Sequence, residues 1–338
     1  MMRLKFLFLA YIFSSSIYSQ IGGNGVYRFL NLTTSPRQVA LGGKAITIYD
    51  NDVNQPILNP ASINQEMDGK LAVNYGSYLG DISYGTASYA LIYDRHVQTI
   101  HGGISYINYG KFDGRDELGT QTGNFTANEL AMSLGYAYNI PRSDWYLGVN
   151  AKLIASSLEN YQSFGIATDI GVTYLDEQKS VNYALLIKNF GTQITTYNGI
   201  QENLPFEVML GVSQKLEHLP IRWHLTLDNL QKWQLAFSNP ARSEQTLDGT
   251  VKEEEIGFLG NAIRHVILGA EILPDKGINF RISYNFRRAA ELKILEQRTF
   301  SGFSAGIGIR FSKFRFDYSY ARYTLASNTS MFGLTINL

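Results

Sequence analysis

Residues 129–138 read Glu-Leu-Ala-Met-Ser-Leu-Gly-Tyr-Ala-Tyr, which puts Leu130, Met132, Leu134, Tyr136 and Tyr138 on one side of an extended chain. Glu129, Ala131, Ser133, Gly135 and Ala137 fall on the other side. Successive strand side chains point to opposite faces, so this is a β-strand with one apolar and one small or polar face. The pattern recurs in both directions. Trp145, Leu147, Val149, Ala151 and Leu153 alternate with Asn150 and Lys152, and Phe164, Ile166, Ile170, Val172 and Tyr174 with Ala167, Asp169 and Gly171. Phe280, Ile282 and Tyr284 alternate with Arg281 and Ser283, and Phe314, Phe316, Tyr318 and Tyr320 with Arg315, Asp317 and Ser319.

Repeating this reading along the chain predicts strands near 70–75, 82–93, 98–110, 125–139, 144–157, 163–175, 181–189, 205–214, 221–230, 263–272, 278–287, 302–311, 313–321 and 331–338. The count of about 14 is even, as single-chain bacterial outer-membrane barrels require. Alternate connections are short, such as 94–97, 140–143, 176–180, 215–220, 273–277 and the step at Ser312. The others include much longer ones, 111–124, 190–204, 231–262 and 288–301, and short turns opposite long loops are the outer-membrane arrangement. A water-soluble sandwich would also alternate, but its exposed face would carry charge in quantity. Here the face opposite the apolar one is mostly Gly, Ala, Ser and Asn, which suits a filled barrel interior. Tyr138, Trp145, Tyr174, Trp223, Tyr320 and Phe332 sit near strand ends, where interfacial aromatic girdles belong.

Composition agrees. Of 338 residues, 17% are charged against a usual value of about 25%, while 22 Tyr, 19 Phe and 31 Gly are present. The formal net charge of +0 gives no long-range attraction to phosphate backbones, so nucleic acid is not an expected partner. The chain has 0 Cys, which removes disulfides, thiol catalysis and Cys-ligated metals. At the amino terminus, Arg3 and Lys5 precede the apolar run Phe6–Phe13, and Ser19-Gln20 offers a cleavage point. Residues 1–19 are therefore expected to be a signal peptide cleaved after Ser19, since the run is far shorter than the ~20 residues of a spanning helix.

Residues 20–69 alternate poorly. They carry Gly22-Gly23-Asn24-Gly25-Val26-Tyr27-Arg28-Phe29-Leu30-Asn31-Leu32, then Ser35-Pro36-Arg37 leading to Ala40-Leu41-Gly42-Gly43, then Asn59-Pro60-Ala61-Ser62. Phe29, Leu30 and Leu41 need burial, which an exposed linker would not give them. With Asn203-Leu204-Pro205-Phe206, Asp228-Asn229-Leu230-Gln231-Lys232-Trp233 and Tyr284-Asn285-Phe286-Arg287-Arg288, these motifs resemble the PorV/PorQ group of FadL-like outer-membrane barrels, components of the Bacteroidetes type IX secretion system. That resemblance implies an all-β transmembrane barrel of about 14 strands over 70–338, with residues 20–69 folded into its periplasmic mouth as a plug. The plug residues would be Gly22, Gly23, Tyr27, Phe29, Leu30, Arg37, Leu41, Gly42, Gly43, Asn59 and Pro60. It further implies a non-catalytic anchor in the attachment complex, holding a PorZ-like surface protein beside a PorU-like sortase and a PorV-like barrel, so that cargo passes to lipopolysaccharide at the outer-membrane lipid surface.

The residues themselves offer little chemistry. His96, His101, His218, His224 and His265 have no ligand-like spacing, and no nucleophile elbow, phosphate loop or dinucleotide fingerprint occurs. Asp50-Asn51-Asp52-Val53-Asn54 imitates the start of a calcium loop, but Gln55 replaces its turn glycine and Ala61 its bidentate Glu, leaving at most an irregular cation site. No cofactor, metal or enzymatic activity is expected. Inward-facing Glu129, Asp169, Glu207, Asp228, Glu271 and Asp317 balance Lys152, Lys188, Arg281, Arg310 and Arg315, which predicts a lumen charge network. The longest outer connection, with Asp248, Glu253, Glu254, Glu255 and Phe258, is the expected partner-docking loop. An alternative reading is a FadL-like transporter of hydrophobic small molecules, which would need an apolar pocket.

Overall fold

The computed structural model describes residues 25–78, 80–94, 98–236, 244–245, 251–252, 256–292, 300–323 and 328–338. The expected signal peptide, Gly22 and Gly23 lie outside these residues. The barrel strands are β1 (Lys70–Ser77), β2 (Ser83–Asp94), β3 (Gln98–Arg115), β4 (Gln121–Asn139), β5 (Trp145–Leu158), β6 (Tyr161–Asp176) and β7 (Val181–Thr195). They continue as β8 (Glu207–Lys215), β9 (Ile221–Leu227), β10 (Val266–Ile272), β11 (Ile278–Asn285), β12 (Phe303–Phe311), β13 (Phe314–Arg322) and β14 (Asn328–Asn337). Each pairs with its sequence neighbours, and β1 closes the ring on β14 in antiparallel register from Lys70 opposite Asn337 to Ser77 opposite Ser330. The chain is thus an all-β closed barrel of 14 antiparallel strands. Among the described residues no helix is long and apolar enough to cross a membrane.

The strand faces sort as the alternation demands. Met132, Leu134, Leu147, Leu153, Phe280, Phe316 and Phe332 are exposed, whereas Asn150, Lys152, Asp169, Glu271 and Arg281 are buried within the ring. An outward belt of this kind calls for an apolar surrounding such as lipid, because exposing it to water would forgo roughly 25 cal/mol for each Å².

Of the strands that run further than the sequence suggests, three stand out. β3, β4 and β7 extend to Arg115, back to Gln121 and on to Thr195. Beyond the lipid zone the outward face no longer needs apolar residues, so Lys111, Asp113 and Asn124 break the pattern although pairing resumes after a bulge between Asn108 and Lys111. In contrast, β9 stops at Leu227, where Asp228 N–H turns to the His265 carbonyl, and residues 263–265 form a 3₁₀ turn before β10. The expected strand end at 286–287 is helical, since the Asn285 side chain accepts from Arg288 N–H and caps the helix Phe286–Glu291. The rim is therefore tall along β3–β7 and low along β8–β14.

Residues 25–69 occupy the lumen over its whole length and are not confined to the periplasmic mouth. Val26 N–H donates to Asn203 at the outer end, while Asp68 accepts from Ile92 N–H near the periplasmic end. The reason is the spread of apolar residues along the segment. Val26, Tyr27, Phe29 and Leu30 pack with Tyr84, Ile107 and Ile154; Ile46 and Leu58 with Leu186 and Met209; Val53 and Met67 with Ala72 and Ala90. Helix α1 (Pro36–Ala40) lies between, capped by Ser35 and started by Pro36. It ends at Gly42 and Gly43, whose φ of 89° and 100° favour glycine. Strand glycines make room: a Cβ on Gly148 would overlap the Pro60 carbonyl, and one on Gly306 would lie 2.6 Å from the Ala40 Cβ.

Candidate functional site: the filled lumen and an outer cleft

Arg37, on α1, is the hub of the lumen. Its Nε donates to Glu271 Oε1 at 2.8 Å, Nη2 to Asp50 Oδ2 at 2.7 Å and Nη1 to Asp52 Oδ2 at 3.3 Å. Arg281 extends the chain of pairs from Glu271, 3.3 Å away, to Asp317 at 2.7 Å, where Arg315 also binds at 2.8 Å. Arg222 reaches Asp50 and Glu271 at 3.3 and 3.4 Å, and His224 Nε2 lies 3.4 Å from Glu271. Burial by itself would weaken the charge on Arg37, but Asp50 and Glu271 more than offset it and hold the guanidinium well above its ordinary pKa. Burial acts likewise to raise the Asp50 carboxyl, and the Arg37 charge reverses this to well below the usual carboxylate range.

A second cluster forms around Lys44, which pairs with Glu207 and, at 2.8 Å, with Asp228; Arg287 joins Asp228 at 3.0 Å. Burial opposes the charge on Lys44, yet Asp228 and Glu207 leave its pKa raised. Elsewhere Lys152 meets Asp169 at 2.5 Å, and Lys188 donates to the Leu30 carbonyl at 2.9 Å. Two expected members of the network stand apart. Arg310 is exposed at the periplasmic rim, next to Lys70 and Lys313, and among the described residues enters no salt bridge. Glu129, toward the outer end of β4, forms no salt bridge among the described residues; its Oε2 accepts from the Tyr109 hydroxyl at 2.5 Å, and the Ser156 hydroxyl is a second partner.

Lys44, Asp50, Asp52, Arg222, His224 and Arg287 were not among the expected network residues. Asp50 and Asp52 share the cation of Arg37, and among the described residues no group of three or more acidic or His side chains is arranged to hold a metal. The remaining plug residues are packed. Tyr27 donates or accepts a 2.5 Å hydroxyl bond with Ser163, Leu41 sits against Gly269, and Asn59 donates to the Ile46 carbonyl at 2.8 Å while accepting from Ala61 N–H. His101 contacts the Val53 carbonyl at 2.9 Å, and His265 stacks on Trp233. His96 lies outside the described residues, as do Asp248, Glu253, Glu254 and Glu255 of the expected docking loop. Phe258 of that loop is 70% exposed, with Trp233 4.9 Å away and the exposed Leu259 beside it.

Where the tall β3–β7 rim rises above the low side, a cavity of about 550 Å³ opens. Its walls are Tyr109 and Phe112 of β3, Phe125 and Glu129 of β4, Tyr161 of β6 and the loop residue Tyr197. Phe112 and Phe125 stack across the strand pair at 5.2 Å. The floor is the lumen segment itself, through Gly25, Val26 and Tyr27. Beneath it a space of only about 30 Å³ remains around Phe29, Leu30 and Lys152, so the cleft ends on the packed segment. A cleft of this size and lining fits a small amphipathic molecule.

No family model matches the chain, and no curated protein matches it in sequence. Solved structures do. The TodX monoaromatic hydrocarbon channel, in a deltaS2 mutant, is 13% identical, with 89% of this chain and 96% of that chain covered and a TM-score of 0.51. A Pseudomonas aeruginosa FadL homologue is 11% identical, with coverage of 94% and 100% and the same TM-score of 0.51. At such identity the likeness concerns fold alone: the chain has the closed 14-stranded barrel fold of the FadL-like outer-membrane barrels.

Proposed function

We propose that this chain is a non-catalytic outer-membrane barrel that captures small amphipathic molecules at its outer mouth, in the manner of a FadL-like transporter. The observation that carries the reading is the aromatic cleft whose floor is the lumen segment: a molecule bound there touches Val26 and Tyr27 directly. Occupancy can therefore alter how the segment is held, which is the coupling that uptake past a plug requires. The shared fold with a channel and a FadL homologue supports the same reading. Mass spectrometry of the organic extract of the barrel, purified from native outer membranes, tests it. One small molecule per barrel is expected, displaced by Leu158→Trp at the cleft wall; a wild-type barrel with nothing bound, and no response to added amphiphiles, would sink the reading.

A second reading has its own observation. The exposed Trp233, Phe258 and Leu259 on the longest outer connection form an apolar patch suited to a protein surface. On this reading the barrel is a PorV/PorQ-like anchor, holding a PorZ-like protein in an attachment complex that serves lipopolysaccharide transfer. A stoichiometric exported protein in the same purification, lost in Trp233→Ala/Phe258→Ala, would favour it.

A further inference from the structure

We propose that the outer cleft selects organic cations: an ammonium or amidinium group carried on an apolar or aromatic body. The inference rests on the small-molecule reading above and adds the sign of the ligand. Three carboxylates line the cleft, Glu129, Glu159 and Glu202, against the single cation Arg28. Among the described residues Arg28 makes no salt bridge with any of them. Glu129 is only 5% exposed, and its side-chain partners are the neutral hydroxyls of Tyr109 and Ser156. A carboxylate so far removed from water, and in no ion pair among the described residues, gains from a positive ligand more than an exposed one does.

The aromatic lining points the same way. The hydroxyls of Tyr27, Tyr109 and Tyr197 are committed to Ser163, Glu129 and Ser156, each at 2.5 Å, which leaves their rings to form the walls. With Phe112, Phe125 and Tyr161 they present six π-systems, whose negative faces attract a cation. An anionic head group would instead meet three carboxylates and the same ring faces. Below the floor, the cations of the Arg37 and Lys44 clusters are paired with carboxylates, and Lys188 is turned to the Leu30 carbonyl.

Three probes sharing one aromatic body separate the possibilities: benzyltrimethylammonium, its neutral isostere neopentylbenzene, and phenylacetate. Binding is measured on the full barrel in zwitterionic nanodiscs, by calorimetry for the ions and by competition for the neutral probe. The cation should bind at least about tenfold more tightly than the isostere, with phenylacetate weakest. Glu129→Gln should remove the preference without changing the neutral probe. Should that variant fail to give a heat-modifiable barrel, the exposed Glu159→Gln should still lower cation affinity about twofold. Equal or tighter binding of the isostere or phenylacetate overturns the inference and leaves the small-molecule reading standing. If none of the three binds to folded barrel, both fall together.

Discussion

Arg37 illustrates how one side chain can hold a segment within a barrel. It joins Asp50 and Asp52 of its own segment to Glu271 on β10, a residue 234 positions away. Removing one partner of a buried ion pair typically costs about 3–5 kcal/mol, since the remaining charge stays desolvated. Arg37→Ala should therefore loosen the lumen segment, read as faster proteolysis near residues 44–52 and as raised ion leak in planar bilayers. Unchanged leak and proteolysis would mean that packing alone retains the segment. The same cluster sets a pH response. Asp50 has a folded pKa below its ordinary 3.8, so its contribution is fully present above about pH 4 and is lost as pH falls through the lower folded value. Leak should stay flat from neutral pH down to about 5 and rise only in stronger acid; a rise near pH 6 would point to a histidine instead.

At the scale of elements, the inward glycines of the strands match the turns of the lumen segment. Gly148 on β5 faces Pro60, and no Cβ fits between them. Gly148→Ala should cost about 1–3 kcal/mol by overpacking, seen as a lower temperature of heat-modification on gels. Gly102→Ala on β3, where a Cβ meets nothing within 4 Å, should leave that temperature unchanged. Equal effects of the two would detach the segment's fit from barrel stability. These glycines also mark the limit of what sequence reading reached. Period two located the strands, because each is decided by residues two apart such as Leu130, Met132 and Leu134. The small inward face indicated a filled interior. What fills it at each height was not legible: Gly148 meeting Pro60, or Arg37 meeting Glu271, depends on closure of the ring. Likewise Asp50 and Asp52 look like the start of a cation loop until Arg37 is brought to them.

For the whole molecule, the asymmetry of the rim divides membrane from exterior. A strand needs about 9–11 residues to cross the bilayer, whereas β3 and β4 have 18 and 19. Their excess stands above the lipid and forms the wall of the cleft, so outward residues on one strand pair should differ by height. Leu134 lies in the periplasmic-side half of β4, is 63% exposed and belongs to the apolar belt; the exposed Thr126, on the same face of β4, lies nearer the tip and opposite Lys111. Leu134→Arg should destabilise the barrel in lipid by up to about 2–4 kcal/mol, diminishing toward the interface, and slow its insertion into vesicles. Thr126→Arg should have almost no effect on insertion or on denaturant midpoint in vesicles. In detergent micelles, which adapt around a misplaced charge, the Leu134 effect should shrink. If Leu134→Arg were tolerated in bilayers as well as Thr126→Arg, the outward belt would not be facing lipid, and the exposed apolar face would need a protein cover instead.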